Sequence, residues 1–494
     1  MRFITALGIW ITLAIPGIYA PFSAAFEMDR VHVALNHPAN GSIMMLQGQN
    51  QLLVSGFSQF ERWLTLVELE QYQTLAVPIP ANAQFFSKAR LVGYEAEQLV
   101  FLTADGIVHY QQASAGSLST GRFQPLLASS SMFRVIDEVR LRERQFALDL
   151  GSGRSDFLIA DFQHMHLYRQ QADGQFVHYA LPVSARIQTW GNNRADYSGR
   201  RHYAIDVDQD GLLDLVFVQQ GRFSVFLQQA DGSFALEPYY PSWPVLLSTE
   251  RQADQRSDAG RSYSGQNITT LEDITDLDGD GLPDLVLNVE QIADALERSS
   301  RFQIFFGRAA DDGVTYPTVA DTEISIDSVP TEVVIGDFNG DGRKDFYIPT
   351  TKIGVGTIVR VLLRGSANLD VDFYLLSENR SYAAKADFRQ QAKIDVSISN
   401  LRFDMPLFKL IDVNGDGRKS LLLGEGGNEL RFFAPDGSRL FKRNSDKVQM
   451  PLPRDASRVQ VIDLNGDNKE DLVLPFDSLD DAELRNQLIL LFSR

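Results

Sequence analysis

Closely spaced carboxylates are the most chemically informative residues of this 494-residue chain. Aspartates occupy positions 1, 3, 5 and 9 of the segment 276–284: Asp276, Asp278, Asp280 and Asp284. Ca²⁺ takes six to eight oxygen ligands at about 2.3–2.6 Å, and a tightly curled loop can bring that many oxygens together. Gly281 permits the sharp turn because glycine adopts positive φ without steric cost, and Leu282 at position 7 offers its backbone carbonyl. The spacing therefore predicts a calcium-binding loop.

Four other segments repeat this pattern and raise the predicted number of calcium loops to five. Their predicted ligands, including the backbone carbonyl at position 7, are Asp206, Asp208, Asp210, Leu212 and Asp214; Asp337, Asn339, Asp341, Arg343 and Asp345; Asp412, Asn414, Asp416 and Arg418; and Asp463, Asn465, Asp467, Lys469 and Asp471. Ser420 at position 9 predicts weaker binding in the loop that starts at Asp412. Asn468 replaces the glycine of the last loop, and asparagine tolerates the left-handed conformation that this position requires.

A sixth segment, 149–156, resembles these loops but lacks their ligand set. It keeps Asp149 and Asp156, is one residue shorter, and has glycines where ligands would stand. We expect a turn without a metal ion there.

The position of the last acid distinguishes these loops from EF-hands. An EF-hand carries a bidentate glutamate at position 12 and is flanked by helices. Position 12 here is Leu287, and an apolar run of the kind that forms strands follows each loop. The oxygen-only ligand sets on flexible loops favour Ca²⁺ over Mg²⁺, which demands a more rigid octahedral site.

Composition and charge limit the partners. The formal net charge is −18, and a nucleic-acid-binding protein needs a basic face, so nucleic acid is not expected as a partner. Residues 1–25 resemble a signal peptide, with Arg2 ahead of an apolar run and small residues before Phe26. The apolar run is shorter than a bilayer requires, and no later segment is predicted to span a membrane. The chain has no cysteine, so we expect an exported protein, periplasmic or secreted, that bound Ca²⁺ rather than disulfides would stabilise.

The loops and the strands after them recur along the chain with insertions between them. Loop starts fall at residues 149, 206, 276, 337, 412 and 463. The D-x-[DN]-x-D-G-x-x-D loops, followed by strands such as Leu285–Leu287, resemble FG-GAP/VCBS repeats, the blades of integrin α-subunit propellers. The resemblance covers about residues 145–494 through these motifs. It implies an all-β, calcium-binding β-propeller that comprises residues 26–494 as one domain.

Counting the repeat units predicts eight blades, with seven as the alternative if residues 42–80 and 91–128 share one blade. The last unit supplies three strands, and the isolated strand at 31–35 would complete it and close the ring. Since the calcium loops connect first to second strands, all of them are predicted on one face. Long insertions are assigned to the opposite face, together with a short helix at 289–299, where Ile292 and Leu296 are four residues apart.

Two insertions rich in aromatic residues are the candidate ligand site, because long loops on a rigid scaffold commonly carry function. The candidate ligand residues are Trp190, Arg201, Tyr239, Tyr240 and Trp243. Aromatic rings beside arginine can stack on sugar rings or anchor a protein partner. They can equally pack the insertions onto the blades.

No catalytic motif stands out, and the seven histidines are scattered without a transition-metal ligand set around them. The favoured hypothesis is a non-catalytic binding or adhesion module for an unidentified protein or polysaccharide. The alternative is a polysaccharide lyase on a calcium-bearing propeller, for which His202 with Arg200 and Arg201 is the only cluster to nominate. A third hypothesis is a calcium-gated partner of a surface or pilus assembly. The oligomeric state stays open.

Overall fold

The computed structural model describes most of the chain downstream of residue 27, and the predicted signal peptide lies outside the described residues. The described ranges are 28–113, 118–133, 141–189, 195–250, 252, 265–293, 298–327, 329–330, 332–351, 366–397, 402–404, 406–437 and 439–494. None of the helices in these ranges combines the length and the apolar character that crossing a membrane requires.

In the described part of the chain, eight sheets follow one another, and each is a propeller blade whose main strands pair antiparallel. The strands of blades 1 to 4 are β2 Ile43–Leu46, β3 Gln51–Phe57, β4 Arg62–Glu68 and β5 Thr74–Val77; β6 Ala83–Ala89, β7 Gln98–Thr103, β8 Gly106–Gln112 and β9 Gly121–Ala128, with β10 Arg142–Glu143 beside β6; β11 Ala147–Leu148, β12 Asp156–Ala160, β13 Met165–Gln170 and β14 Phe176–Leu181; and β17 His202–Ile205, β18 Asp214–Gln219 and β19 Arg222–Phe226. The fourth position of blade 4 is taken by Tyr239, which bridges to Val225.

The remaining four blades include the longest strands in the described part of the chain. Their strands are β20 Gln266–Thr275, β21 Asp284–Ile292, β22 Arg298–Phe305 and β25 Thr322–Ile326; β27 Val334–Gly336, β28 Asp345–Thr351, β29 Ser366–Tyr374 and β30 Phe388–Ser397, with β26 Val329–Pro330 and β31 Arg402–Asp404 at their margins; β32 Phe408–Ile411, β33 Ser420–Glu425, β34 Glu429–Phe433 and β37 Asp446–Gln449; and β38 Gln460–Ile462, β39 Asp471–Pro475, β40 Gln487–Ser493 and β1 Met28–Ala34. The described residues also form three two-stranded hairpins outside the blade sheets: β15 Arg186–Thr189 with β16 Ala195–Ser198, β23 Arg308–Ala310 with β24 Gly313–Thr315, and β35 Pro435–Asp436 with β36 Arg439–Phe441. A 3₁₀ turn lies at Ala456–Arg458.

The two faces of each sheet pack against the two neighbouring blades. In β21, Leu285 and Leu287 face blade 4, whereas Val286 between them faces blade 6. This follows from the period of two in a strand, which sends successive side chains to opposite faces. It also explains why the blade strands are continuously apolar rather than alternating.

The ring closes between blade 8 and blade 1. Strand β1 pairs antiparallel with β40 along its whole length, from Met28 opposite Ser493 to Ala34 opposite Gln487. Val33 packs in one cluster with residues of blade 1 such as Leu52. Eight blades and closure by the N-terminal strand were both predicted, and both are confirmed.

The predicted helix at 289–299 is wrong. Residues up to Ile292 continue strand β21, and residues from Arg298 form the paired strand β22. Residues Leu285 to Ile292 place successive side chains on the two faces of a long strand, so this part of the segment is not helical. Residues 294–297, which include Leu296, lie outside the described residues.

Candidate functional site

The five predicted calcium loops lie on one face of the ring, which we call the loop face. Each loop joins the first strand of its blade to the second, as β20 and β21 do around residues 276–283. The turns between second and third strands, such as residues 219–222, lie on the opposite face. First strands of neighbouring blades contact one another, for example β6 with β11 and β17 with β20, so they line the axis of the ring.

Hydrogen bonds from the backbone give each loop its curl. The carboxylate at position 1 accepts the N–H of position 6, with N···O distances of 2.9 Å from Gly281 to Asp276 and 3.0 Å from Asn468 to Asp463. Asn468 adopts φ of 65°, so the left-handed conformation predicted for it is confirmed. The loops are therefore shaped by their own backbone, and this leaves carboxylate oxygens grouped together.

Two loops bring three carboxylates close together. One oxygen from each of Asp206, Asp208 and Asp210 lies within 4.8 Å of the others, and the same holds for Asp276, Asp278 and Asp284. Burial, followed by the charge of neighbouring aspartates, raises the pKa of Asp208. Oxygen-only donors that destabilise one another's charge are a donor set that fits a hard divalent cation.

Two of the loops that carry asparagine at position 3, at 337 and 463, are arranged differently. The Asn339 side-chain amide donates to Asp341, and Asn465 donates to Asp467, at 3.0 and 3.2 Å. Arg343 also pairs with Asp341 at 2.6 Å. These loops therefore satisfy part of their own charge, and the loops at 206 and 276 have the greater need for a cation.

An arginine from the next blade reaches the loop at 276. The Arg380 guanidinium contacts the carboxylate of Asp278 and lies 3.3 Å from Asp280. Its other side covers the Phe306 ring, 4.6 Å from the ring centroid. Arg380 therefore offsets negative charge at the loop with the strongest ligand set.

The aspartate at position 9 has a second role that the sequence analysis missed. Asp284 is fully buried, and its two oxygens accept the N–H of Leu277 at 2.7 Å and of Gly307 at 2.8 Å. The first bond holds the loop and the second holds the end of the third strand. We call this arrangement the blade clamp.

The blade clamp recurs in the three other loops with aspartate at position 9, and Asp156 of the shortened segment makes the strand-end bond. Its bonds to the third-strand end are Gln170 to Asp156, Gln228 to Asp214, Leu376 to Asp345 and Ser493 to Asp471. Because desolvation dominates, burial raises the pKa of Asp214, Asp284 and Asp345 to about 7. The interval between each aspartate and its strand-end donor varies from 14 to 31 residues, so no fixed spacing in the sequence could have indicated these bonds.

Blade 7 lacks the clamp at both of its ends. Ser420 stands at position 9, and its buried Oγ has no hydrogen-bond partner within the described structure. Leu421 pairs with Phe433 in the sheet. Pro435, two residues further along, stands where the other blades provide the N–H donor, and proline has no N–H. Acceptor and donor are therefore both absent in blade 7.

The shortened segment 149–156 forms a turn, as predicted. Asp149 accepts the N–H groups of Ser152 and Gly153 at 2.8 and 3.0 Å. The Nε of Arg169 lies 3.2 Å from Asp156 and supplies positive charge there. That no metal binds this turn stays a prediction.

The predicted ligand residues do not form a single site. Trp190 lies outside the described residues. Trp243 is a core residue, because it is buried between Phe223 and Tyr316 and its indole N–H donates to the Val314 carbonyl at 2.8 Å.

Tyr239, Tyr240 and Arg201 lie at opposite radial ends of blade 4. Tyr239 and Tyr240 are exposed, and Tyr239 forms the outer edge of the blade. The sequence predicts an insertion between blades at residues 236–268. At Tyr239 this prediction is wrong, because Tyr239 pairs with Val225 of the blade. Arg201 precedes the innermost strand, where it contacts Asp273 at 3.0 Å and covers the Tyr203 ring.

The sequence did not predict the polar contacts that surround His166. The Nδ1 of His166 lies 2.9 Å from the Nε2 of His178, and its Nε2 lies 3.0 Å from the Ser130 hydroxyl. Asp161 is 3.6 Å from His166, although the sequence analysis assigned no acid to these histidines. Within the described residues this cluster does not bring three metal-ligand atoms within 4.8 Å of one another.

The chain is an eight-bladed β-propeller built from repeats in which acidic loops join the first strand of a blade to the second. Residues 276–348 match the FG-GAP-like repeat family. The resemblance to FG-GAP repeats is therefore shown over residues 276–348, and the β-propeller fold that it implied is confirmed.

Solved structures of low sequence identity also match the chain. No curated protein matches the chain. A solved Agrocybe aegerita lectin, described as recognising non-reducing terminal N-acetylglucosamine, is 14% identical over 93% of this chain and 98% of that one, with a TM-score of 0.46. A Lactobacillus plantarum protein is 9% identical over 86% and 97%, with a TM-score of 0.34. A triple arginine-to-alanine mutant of AofleA from Arthrobotrys oligospora is 9% identical over 74% and 92%, with a TM-score of 0.24.

Proposed function

We propose that this protein is an exported binding module whose calcium-bound loops stabilise a rigid propeller that recognises a glycan or protein partner. The observation that carries the proposal is the convergence of three carboxylates in each of the loops 206–214 and 276–284. A bound divalent cation would neutralise these carboxylates and tie first and second strands together. The leader-like residues 1–25 support export, to a compartment where Ca²⁺ is abundant.

Binding is favoured over lyase chemistry by the state of the nominated arginines. Arg200 contacts Glu250, and Arg201 contacts Asp273. Burial, followed by the charge of Arg201, lowers the pKa of His202. Guanidinium groups already paired with the protein's own carboxylates are poorly placed to hold a uronate for β-elimination.

Calcium removal tests the first half of the proposal. A ligand that binds only the folded state adds about 2.7 kcal/mol at 100 times its dissociation constant. We therefore expect Ca²⁺ to raise the melting temperature and EDTA to lower it, as measured by differential scanning calorimetry. Asp278→Asn should lose part of the calcium-dependent gain. Asp173→Asn is the matched control, because Asp173 accepts one N–H in an exposed turn, a role that asparagine can keep.

An identical melting curve with Ca²⁺ and with EDTA would overturn the calcium proposal. The binding half is tested separately by a glycan array and a protein-partner screen, each with and without Ca²⁺. Failure to retain any glycan or protein under either condition would contradict a binding function.

A further inference from the structure

The part of the loop face formed by blades 1 to 3 has no calcium acids and contains a cleft instead. The cleft has a volume of about 470 Å³ and lies between first-to-second-strand loops of three successive blades. It is lined by residues 47–48 of blade 1, 90–95 and 97 of blade 2, and 153–154 of blade 3. We call it the three-loop pocket. Its volume is in the range of pockets that hold small ligands.

Two arginines of the three-loop pocket have no carboxylate partner in the part of the chain that the structure describes. The Nε of Arg154 is buried there without a hydrogen-bond acceptor. The guanidinium of Arg90 donates to the neutral Gln47 side chain at 3.1 Å. A buried N–H group needs an acceptor, and the planar fork of an arginine matches a carboxylate or a phosphate.

The acids of the pocket leave these arginines available. Glu97 is buried, pairs with Lys88 at 2.9 Å and accepts the N–H of Gln47 at 2.9 Å. Glu95 is exposed at the rim. Another arginine-bearing cleft, on the opposite face, differs because its Arg200 and Arg201 are paired with Glu250 and Asp273. The three-loop pocket is therefore the better of the two for an added anionic group.

The other lining groups suit a sugar. The ring of Tyr94 is partly exposed, and its contact with His109, at 4.9 Å between centroids, holds it in place. An aromatic face of this kind can stack on a pyranose ring, and the Glu95 carboxylate can accept hydrogen bonds from hydroxyl groups. The net charge of −18 disfavours long polyanions, which it repels at a distance.

We infer that the three-loop pocket binds the end of a short acidic saccharide, with the uronate carboxylate held by Arg90 and Arg154 and the sugar ring against Tyr94. This deepens the proposed function, on whose glycan arm it rests. It also places recognition on the same face as the calcium loops, and not on the opposite face that the sequence analysis favoured.

The test is isothermal titration of the full mature chain, in Ca²⁺, with digalacturonic acid as the probe. Its dimethyl ester is the matched ligand, since it keeps the rings and loses the charge. The matched variants are Arg154→Gln, which removes the fork, and Arg308→Gln, which removes an exposed arginine of blade 5 that pairs with Asp321. Melting temperatures of both variants are measured in parallel, to show that each is folded.

We expect the acid to bind, and the ester and the Arg154→Gln variant each to weaken binding by about tenfold or more, because a charge-assisted bidentate pair is lost. Arg308→Gln should bind as the wild type does. Equal binding of acid and ester, unchanged binding by Arg154→Gln, or displacement of the probe by an equal concentration of inorganic phosphate would overturn the assignment. If the pocket fails this test while the array retains a neutral glycan or a protein, the binding function stands and the inference alone is wrong.

Discussion

At the scale of single residues, Asp284 combines two roles: it is a candidate ligand at position 9 of its loop, and it accepts two backbone N–H groups. The pattern identifies Asp284 as an oxygen donor, because acids at positions 1, 3, 5 and 9 read as ligands. It does not show that the same carboxylate accepts two backbone N–H groups, one of them from Gly307, 23 residues away. A hydrogen bond between distant segments depends on strand register, which single-sequence inspection does not supply. The burial of Trp243 between Phe223 and Tyr316 was missed for the same reason.

Burial of a single histidine predicts a pH effect on stability. His109 is buried and lies 3.1 Å from the Oε1 of Gln98, and burial lowers its pKa from 6.5 to about 4. Below pH 6.5 His109 is protonated in the unfolded chain, whereas in the folded chain it stays neutral until the pH approaches 4. Stability contributed by neutral His109 is therefore complete above pH 6.5 and is lost as the pH falls towards 4.

The measurement is urea denaturation of wild type and His109→Gln between pH 4 and 7. We expect the free energy of unfolding of the wild type, relative to the variant, to fall by about 1–3 kcal/mol across that window. A difference that does not vary with pH would show that His109 titrates normally in the folded protein.

At the scale of the element, the blade clamp predicts unequal effects of substitutions at position 9. Asp284→Asn replaces one accepting oxygen by an amide donor that faces a backbone N–H, so the free energy of unfolding should fall by about 1–3 kcal/mol. The experiment is urea denaturation in EDTA, which removes any contribution of a bound cation.

Blade 7 supplies the matched control. Ser420 occupies the same position, but its buried Oγ has no partner within the described structure. Ser420→Ala should therefore leave stability unchanged or raise it slightly, since an unsatisfied polar atom is removed. Equal destabilisation by the two substitutions would mean that position 9 acts through packing and not through the clamp.

The same scale shows why some elements were predicted well and others were not. Strands that follow an acidic loop, such as β21 and β28, are predictable because glycine and aspartate punctuate an apolar run. The segment 289–299 was misassigned because a long hairpin carries Ile292 beyond the length of an ordinary blade strand. The segment 236–240 was misassigned because the outer strand of blade 4 is reduced to a bridge at Tyr239. An outer strand that is reduced to one bridge leaves only a weak sequence pattern.

At the scale of the whole molecule, the ring depends on one non-local pairing. Strand β1 is the outer strand of blade 8, and its Val33 is fully buried in the cluster that joins blades 8 and 1. Without β1, strand β40 would present a row of unpaired backbone groups at the edge of a three-stranded blade. Such an edge invites pairing with a second chain.

Two truncations test this closure. A chain that starts at residue 28 keeps β1 and should remain monomeric with a single thermal transition. A chain that starts at residue 36 lacks it, so we expect a melting temperature lower by several degrees, because about one to a few kcal/mol of apolar burial and pairing is lost. Light scattering after gel filtration should show dimers or larger species formed through β40. Addition of a peptide of residues 28–35 should restore the monomer by occupying that edge. If the truncated chain is monomeric and its melting temperature is unchanged, side-chain packing between blades alone closes the ring.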